Sequence, residues 1–479
     1  MCQLSKTINK DKIFIIKKSE IDGRLDPKMA LYNQSVQHAL YPMVKLKSLL
    51  LSKPQYGANE ASITRDNNDQ PRYIRITDID ENGLISPDKL GATVANLDDK
   101  YILNENDIVI ARSGATVGKA YIHKNLPYTC VYAGYLIRFI VDSKKILPDY
   151  LFAYTQLNTY KEWVNAIQRP SAQPNINAEE YQSLEIPLPN LSKQQEIVDN
   201  INAAYTQKQA KETEAQQLLD SIDGYLLKEL GITLPNLKAE LTDRVFYVNY
   251  SDLSNRLDPY YSLKCFQESF EAVHLGKYPV VSLKSLTTLI TSGITPKSGG
   301  DAYVDDKLNG IPFIRSGNIN IDGELEFNDL LYIRQDIHNT IMKSSQVKKN
   351  DLMIAIVGAT IGQVGIYVFD DEANINQAIA LVRLKDGINV EYIKELIKSS
   401  VGQLSLNRLK RPVARANINL EEIATIQVVL PPYDIQQKIA NQIQCIRLQA
   451  KALQVQGKVI LEEAKRKVEQ MIIGESMKK

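Results

Sequence analysis

The residues RSGATVGKA, at 112–120, combine two glycines and a lysine in a pattern that could bind a phosphate group. A nucleotide-hydrolysing phosphate loop needs four residues between its glycines and a hydroxyl residue after its lysine, because backbone N–H groups surround the phosphates and the hydroxyl reaches magnesium. Here only three residues separate Gly114 from Gly118, and Ala120 follows Lys119. The spacing therefore favours a tight turn between two strands, which glycine permits, over a nucleotide site.

The motif occurs a second time, as IVGATIGQV at 356–364, with Gln363 in place of Lys119. Other blocks also recur in the same order, and such self-similarity marks tandem structural repeats. The pairs are RLDP at 24–27 and 256–259, YPMVKLKSL at 41–49 and YPVVSLKSL at 278–286, YIRITDI at 73–79 and FIRSGNI at 313–319, RPSAQPNIN at 169–177 and RPVARANIN at 411–419, and LEIPLPNLSKQQEIV at 184–198 and IQVVLPPYDIQQKIA at 426–440. The chain therefore consists of two tandem repeats.

Each copy changes character along its length. Its first part contains short runs rich in β-branched and aromatic residues, such as DIVIA and TCVYAGYLIRFIV, which predict strands. A few helices are expected among them, at 147–164 and 390–400. Its second part, at 192–230 or 434–473, carries apolar residues at helical spacing for about 40 residues. The predicted fold class is α+β, with two repeats that each consist of a β-rich domain and a long helix.

The two long helices need a partner for their apolar stripes. Each would be about 60 Å long at 1.5 Å per residue, and a helix of this length is stabilised mainly by what covers its apolar face. Both follow prolines, and Ser192 and Asp434 are the expected N-caps. Two unrelated surface helices are the alternative. Matching length and position in two repeats favour pairing of the helices with each other as an antiparallel coiled coil.

The composition limits the possible functions. The 479 residues include 57 Lys and Arg against 56 Asp and Glu, which argues against binding nucleic acid by net charge alone and leaves room for local basic surfaces. The four cysteines are scattered and no apolar run is long enough for a membrane helix, so a cytoplasmic protein with reduced thiols is expected. The four histidines lie far apart, which disfavours a metal hydrolase, and no cofactor is predicted.

The tandem arrangement resembles the specificity subunits of type I restriction and modification systems. The resemblance covers almost the whole chain and is carried by NDIVIARSGATVG at 106–118 and by the proline-led starts of both helices, with Gln194-Gln195 and Gln436-Gln437. Family members often have Glu before the Gln, where this chain has Gln in both copies.

The resemblance implies a role in recognising double-stranded DNA. Each β-rich domain would be a target recognition domain that reads one half of a split sequence. The helices would set the spacing and dock two modification (methyltransferase) subunits, through which restriction (translocase and endonuclease) subunits join. The chain itself would be non-catalytic.

The resemblance and the repeats together give an expected domain organisation. Its parts are an N-terminal segment at 1–39, target recognition domain 1 at 40–190, a central long helix at 191–232, a linker and start of the second repeat at 233–277, target recognition domain 2 at 278–433, and a C-terminal long helix at 434–474.

Polar and basic residues in the loops of the repeated domains are the candidates for DNA contact. Arg75 and Arg315 occupy equivalent positions, although each could instead be a structural partner of a carboxylate. The basic segment NRLKRPVAR, at 407–415, suits phosphate contact better than base reading. The predicted DNA-binding residues are Arg75, Arg112, Lys119, Arg169, Arg315, Asn318, Arg408, Lys410, Arg411 and Arg415.

Two other classes of protein are alternatives. A DNA methyltransferase or a fused restriction enzyme would need a catalytic motif, and LPPYD at 430–434 has Leu430 where amino-methyltransferases need Asn or Asp. A scaffold with two ligand-binding domains that do not read DNA is the other alternative. Salt-dependent, sequence-selective DNA binding in the presence of a methyltransferase partner would separate the three functions.

Overall fold

The computed structural model describes residues 27–86, 89–168, 174–235, 247–248, 259–297, 300–305, 310–410 and 416–474. The chain forms two compact units. Unit 1 comprises Met1–Glu212 and Gln454–Lys479, and unit 2 comprises Thr213–Leu453. Each unit therefore contains the β-rich part of one repeat together with parts of both long helices.

The β-structure of unit 1 consists of two four-stranded sheets and one two-stranded ribbon within the described residues. The strands are β1 (Met43–Lys45), β2 (Gln55–Tyr56), β3 (Ser62–Thr64), β4 (Arg72–Ile74), β5 (Ala92–Val94), β6 (Ile108–Ala111), β7 (Ala120–Ile122), β8 (Cys130–Tyr132), β9 (Leu136–Phe139) and β10 (Glu185–Pro187). The sheet orders are β2-β9-β6-β7 and β3-β5-β4-β8, and β1 pairs with β10. All pairs are antiparallel except β4 with β8.

Four short helices complete the β-rich part of unit 1. They are α1 (Pro27–Val36), α2 (Pro148–Thr155), α3 (Asn158–Ile167) and α4 (Ala178–Gln182). The prediction of one continuous helix at 147–164 was wrong, because two separate helices, α2 and α3, occupy this region. At the break the Thr155 hydroxyl donates to Phe152 O at 2.6 Å, a side-chain bond of the kind that competes with the helical pattern.

Unit 2 repeats this β-structure with one extra strand in its second sheet. The strands are β11 (Val280–Ser282), β12 (Thr287–Ser292), β13 (Tyr303–Val304), β14 (Ile311–Ile314), β15 (Leu331–Ile333), β16 (Gln346–Val347), β17 (Leu352–Ala355), β18 (Val364–Ile366), β19 (Ala373–Ile375), β20 (Ile379–Leu384) and β21 (Gln427–Val429). The sheet orders are β12-β20-β17-β18 and β13-β15-β14-β19-β16, and β11 pairs with β21. The parallel pair, β14 with β19, occupies the same place as β4 with β8.

The shorter helices of unit 2 include one, α7, without a counterpart among the described residues of unit 1. They are α6 (Lys264–His274), α7 (Gln335–Asn339), α8 (Val390–Lys398), α9 (Ser400–Leu409) and α10 (Leu420–Ala424). The helix predicted at 390–400 is thus α8, which ends at Lys398 before α9 starts.

The central strand of each first sheet is apolar along its whole length because both of its faces are covered. In β6, Ile108 and Ile110 face one hydrophobic core of unit 1, whereas Val109 and Ala111 face another. Successive side chains of a strand point to opposite faces, so a continuous apolar run requires two cores.

The GATVG and GATIG motifs form the turns of two β-hairpins, as predicted. They connect β6 to β7 and β17 to β18, and both pairs are antiparallel. Gly114 and Gly118 have φ values of 82° and 88°, and Gly358 and Gly362 have values of 74° and 94°. These backbone conformations explain why glycine recurs at the same two positions of the motif in both repeats.

The two predicted long helices are present as α5 (Leu191–Leu230) and α11 (Tyr433–Ile473). The start of α5 differs in detail from the prediction, because Asn190 rather than Ser192 provides the cap: the Asn190 side chain accepts from Lys193 N at 2.9 Å. None of the helices in the described ranges is long and apolar enough to cross a membrane.

In each unit, α5 and α11 pair in antiparallel orientation. In unit 1, Ile197 of α5 and Val468 of α11 share one core, and a Cβ at Gly457 would lie only 3.3 Å from Lys208 O. A later residue of α5, Lys208, thus neighbours an earlier residue of α11, Gly457, as expected for two antiparallel helices.

In unit 2, Leu226 and Leu230 of α5 share a core with Ile439 and Ile443 of α11. At the same level, the Lys438 ammonium contacts the Glu229 carboxylate at 3.0 Å.

Candidate nucleic-acid interface

The glycine turn of the first repeat follows a cation, Arg112, that lies over an aromatic ring. The Arg112 guanidinium carbon is 5.0 Å from the centre of the Tyr56 ring. The Arg112 backbone N–H donates to Tyr135 O at 2.9 Å, and Tyr135 is 64% exposed. An exposed ring near a cation can offer stacking and phosphate contact at one place. Arg112 was predicted from the sequence, whereas Tyr56 and Tyr135 were not, because both are distant from Arg112 along the chain.

Each glycine turn also contacts the end of another repeated block. In unit 1, Gly114 N–H donates to Pro174 O at 3.1 Å, and in unit 2, Gly358 N–H donates to Ala416 O at 3.0 Å. These acceptors belong to the RPSAQPNIN and RPVARANIN blocks. Two repeated blocks that are separate along the chain are therefore neighbours in each unit.

Arg75 and Lys119 each contact a residue of the turn that follows β4. The Arg75 guanidinium contacts the Asp78 carboxylate through two hydrogen bonds, of 3.0 and 3.1 Å. The Lys119 ammonium donates to Ile79 O, and two of its three N–H donors remain for another acceptor. The structure thus gives Arg75 the carboxylate partner that the alternative interpretation expected. DNA contact by either residue stays a prediction.

In unit 2, Arg315 and Asn318 are in direct contact. The Arg315 backbone N–H donates to Asn318 Oδ1 at 2.9 Å, and Asn318 Nδ2 donates to Glu326 O at 3.2 Å. Asn318 is buried, whereas the Arg315 guanidinium donates to Asp329 O at 2.6 Å. Asn318 therefore shapes a turn, and the guanidinium of Arg315 contacts the backbone of a later residue in the same repeat.

Arg408 and Lys410 lie at the end of α9, where both have partners within unit 2. The Arg408 guanidinium is 4.0 Å from the Tyr261 ring centre, 5.1 Å from that of Phe270, and donates to Tyr261 O at 2.9 Å. The Lys410 ammonium donates to Asn407 Oδ1 at 2.8 Å, and burial lowers the pKa of Lys410. The remaining candidates, Arg169, Arg411 and Arg415, lie outside the described residues.

The buried histidines are held by protein groups. His123 Nδ1 is 2.9 Å from the Tyr121 hydroxyl, and burial lowers the pKa of His123. His338 Nδ1 lies against Asn374 Oδ1 in unit 2. Among the residues that the structure describes, no group of three or more His, Cys, Asp or Glu side chains is placed to bind a metal ion.

Each repeat of the chain is similar to a known family of proteins. Residues 44–220 and 276–449 each match the family described as "Type I restriction modification DNA specificity domain". A chain from a structural study of complex assembly and conformational transition in a type I R-M system shares the fold, with a TM-score of 0.50 at 16% identity. The alignment covers 90% of this chain and 96% of that one.

Curated relatives include specificity subunits from bacteria and an archaeon. The EcoBI specificity subunit of Escherichia coli is 25% identical over 64% of this chain, and the match spans 60% of the EcoBI subunit. The MjaVIII specificity subunit of Methanocaldococcus jannaschii is 20% identical over 78% of this chain and 80% of its own length. Because the two family matches together cover most of the sequence, one in each repeat, the chain belongs to the type I restriction modification DNA specificity family.

Proposed function

We propose that this protein is the DNA-recognition subunit of a type I restriction-modification complex and has no catalytic role of its own. The observation that carries the proposal is that each repeat matches the DNA specificity domain separately, and the β-rich part of each repeat lies in a unit with its own hydrophobic cores. Two independent domains suit a bipartite DNA target, in which each domain reads one half.

The partners follow from this role. Two methyltransferase subunits would bind the helices, restriction subunits would join through them, and the complex would act on DNA in the cytoplasm. The exposed side chains Val455 and Val459 support a docking role for the part of α11 in unit 1, because their spacing of four residues places them on one face of the helix.

DNA contact is proposed for the cationic loop residues. Arg112 has the best support, because its guanidinium lies against the Tyr56 ring, which brings charge and an aromatic face to one place. Lys119 and Arg315 retain N–H donors for a phosphate beyond the carbonyls that they contact. Arg75, Asn318, Arg408 and Lys410 are engaged by protein groups and would act mainly by shaping the loops.

A domain exchange tests the proposal. Residues 40–190 are replaced by the equivalent domain of a relative with a different target, and the methylated motif is sequenced in cells that supply the partner subunits. One half of the motif should change and the other should remain. A change of both halves, or methylation by the purified chain without partners, would contradict the proposal.

A helix insertion tests the spacing role. Four residues inserted at matching levels of α5 and α11 lengthen each helix by about 6 Å, close to two base pairs of duplex at about 3.4 Å each. The gap between the half-sites should lengthen while both half-sites stay the same. An unchanged gap would show that the helices do not set the spacing.

A further inference from the structure

A buried glutamine attaches each recognition domain to the helix that follows it. In unit 1, Gln194 accepts from Leu147 N at 2.8 Å and donates to Pro189 O at 2.9 Å. In unit 2, Gln436 accepts from Asn389 N at 3.0 Å and donates to Pro431 O at 2.9 Å. The first turn of each long helix is therefore bound to its own domain in the same way.

Unit 2 adds an ion cluster to this attachment, about three helical turns further along α11. The Arg447 guanidinium contacts both oxygens of Glu395, at 3.2 and 2.8 Å. The Glu395 side chain is only 4% exposed, whereas that of Arg447 is 25% exposed. The other terminal nitrogen of Arg447, Nη1, is 3.8 Å from the Asp322 carboxylate, and the Lys398 ammonium donates to Asp322 O. The cluster joins α8, α11 and the turn that contains Asp322.

Contacts within the cluster shift the pKa values of Glu395 and Lys398. Burial alone would raise the pKa of Glu395, but hydrogen bonds from Arg447 and the charges of Arg447, Lys394 and Lys398 outweigh burial and lower it. Burial, together with repulsion from Arg447, lowers the pKa of Lys398 to about 8. Glu395 is therefore an anion that Arg447 balances at neutral pH.

The same junction in unit 1 is neutral. The buried hydroxyls of Tyr150 and Tyr392 both donate to the carbonyl of the strand that precedes the long helix, which puts the two helices α2 and α8 in register. In that register, Ala153 stands where unit 2 has Glu395.

The buried glutamines Gln194 and Gln436 likewise put α5 and α11 in register, so that Tyr205 corresponds to Arg447. The Tyr205 hydroxyl approaches Asn82 O at 3.5 Å, in the turn that corresponds to the Asp322 turn. An ion pair in unit 2 and uncharged side chains in unit 1 therefore occupy equivalent positions between the helices.

Stability alone does not account for the ionic version. Taking two charges out of water costs free energy that a buried pair recovers only with good geometry, and apolar replacements of similar volume are often equally stable. The neutral junction of unit 1 illustrates such a solution. A bidentate pair adds directional constraint, because a guanidinium and a carboxylate fit in one plane and one orientation.

We propose that Arg447 and Glu395 are positioning residues for spacer selection, which hold the second recognition domain at one place and angle on α11. The inference rests on the proposed DNA-recognition function. One base pair of spacer changes the half-site separation by about 3.4 Å and its rotation by about 35°. A domain that could shift or tilt on its helix by this amount would accept the neighbouring spacer lengths as well.

The test measures spacer choice in the complete complex with its methyltransferase subunits. The methylated motif gives the two half-sites and the natural spacer, and duplexes are then made with that spacer, one base pair fewer and one more. Glu395→Leu with Arg447→Met replaces the pair by apolar side chains of similar size, and Arg447→Lys keeps the charge but loses the bidentate geometry. Lys451→Met is the matched control, because Lys451 forms an exposed pair with Glu324 in the same turn.

The preference for the natural spacer should fall by about tenfold in both Arg447 variants, which corresponds to a coupling of about 1.4 kcal/mol. It should change little in the Lys451 control. Discrimination against base changes within the half-sites should persist, which a loss of folding would not allow. Unchanged spacer preference in both Arg447 variants would overturn the inference. Absence of methylation at any bipartite site by the wild-type complex would instead refute the proposed function.

Discussion

Arg383 and Asp351 form a two-point ion pair at the base of the second hairpin, with N–O distances of 2.7 and 2.6 Å. Asp351 is almost completely buried. Unit 1 repeats the pair with Arg138 and Asp107, but the distance there is 3.5 Å, and burial raises the pKa of Asp107. The same two residue types therefore hold each hairpin to its sheet, more tightly in unit 2.

This difference predicts unequal losses of stability in matched variants. Asp351→Asn should reduce the free energy of unfolding by about 2–3 kcal/mol, below the range of about 3–5 for a completely buried pair because Arg383 is partly exposed. Asp107→Asn should cost less, since a carboxylate whose pKa is raised by burial is poorly compensated in the folded state. Urea unfolding of both variants measures the losses, and a larger loss for Asp107→Asn would contradict the comparison.

Lys398 predicts a pH dependence of stability. Its pKa is about 8 in the folded protein and its ordinary value is 10.5, so between these values the unfolded chain binds more protons than the folded chain. Stability contributed by this residue therefore rises with pH across that window, and its burial cost is largest below pH 8. Lys398→Met should stabilise unit 2 at pH 7 more than at pH 9.5, as measured by urea unfolding at the two pH values. An equal effect at both would show that Lys398 does not titrate in this range.

The contacts of Glu469 predict that this residue contributes to the stability of unit 1. Its Oε1 accepts from both Thr159 N and Thr159 Oγ1, each at 2.6 Å, at the first turn of α3. A carboxylate at a helix N-terminus satisfies a free N–H group and interacts well with the helix dipole. Glu469→Ala should therefore lower stability by about 1–2 kcal/mol, and Glu469→Gln, which keeps an acceptor, by about half as much. Equal losses in the two variants would mean that the acceptor oxygen is unimportant.

The features that were predictable from the sequence depend on local patterns. The positive φ of Gly114 and Gly358 follows from the hairpin motif, and the helical spacing of apolar residues predicted α5 and α11. What escaped prediction depends on contacts between distant residues. The Lys119 ammonium donates a hydrogen bond to Ile79 O, 40 residues away along the chain. The Gln194 side chain, first noted as a family feature, is buried and accepts a hydrogen bond from Leu147 N. Spacing along the chain carries no information about such partners.

Lys119 offers a test of phosphate contact that uses the second repeat as its guide. Lys119→Gln introduces the residue that stands at the same place in the GATIG motif, Gln363. If Lys119 contacts a phosphate, DNA affinity should weaken uniformly across sequences, and the slope of log affinity against log salt should decrease by about one. Binding isotherms of the complex at several salt concentrations measure both quantities. A change in target preference, or an unchanged affinity, would count against phosphate contact.

The exposed face of α11 in unit 1 predicts where the proposed methyltransferase subunits bind. Val455 and Val459 are 53% and 48% exposed, and they are four residues apart on the same side of the helix. Val455→Glu and Val459→Glu place a charge where an apolar partner surface would have to bury it, which should weaken co-purification of the methyltransferase subunits by more than about tenfold. Gln456→Glu, at an exposed neighbouring position, is the control for added charge. Thermal unfolding of the chain alone should be similar in all three variants, because none of these side chains belongs to its cores. If both charged variants retain their partners as well as the control does, the methyltransferase subunits bind elsewhere on the chain.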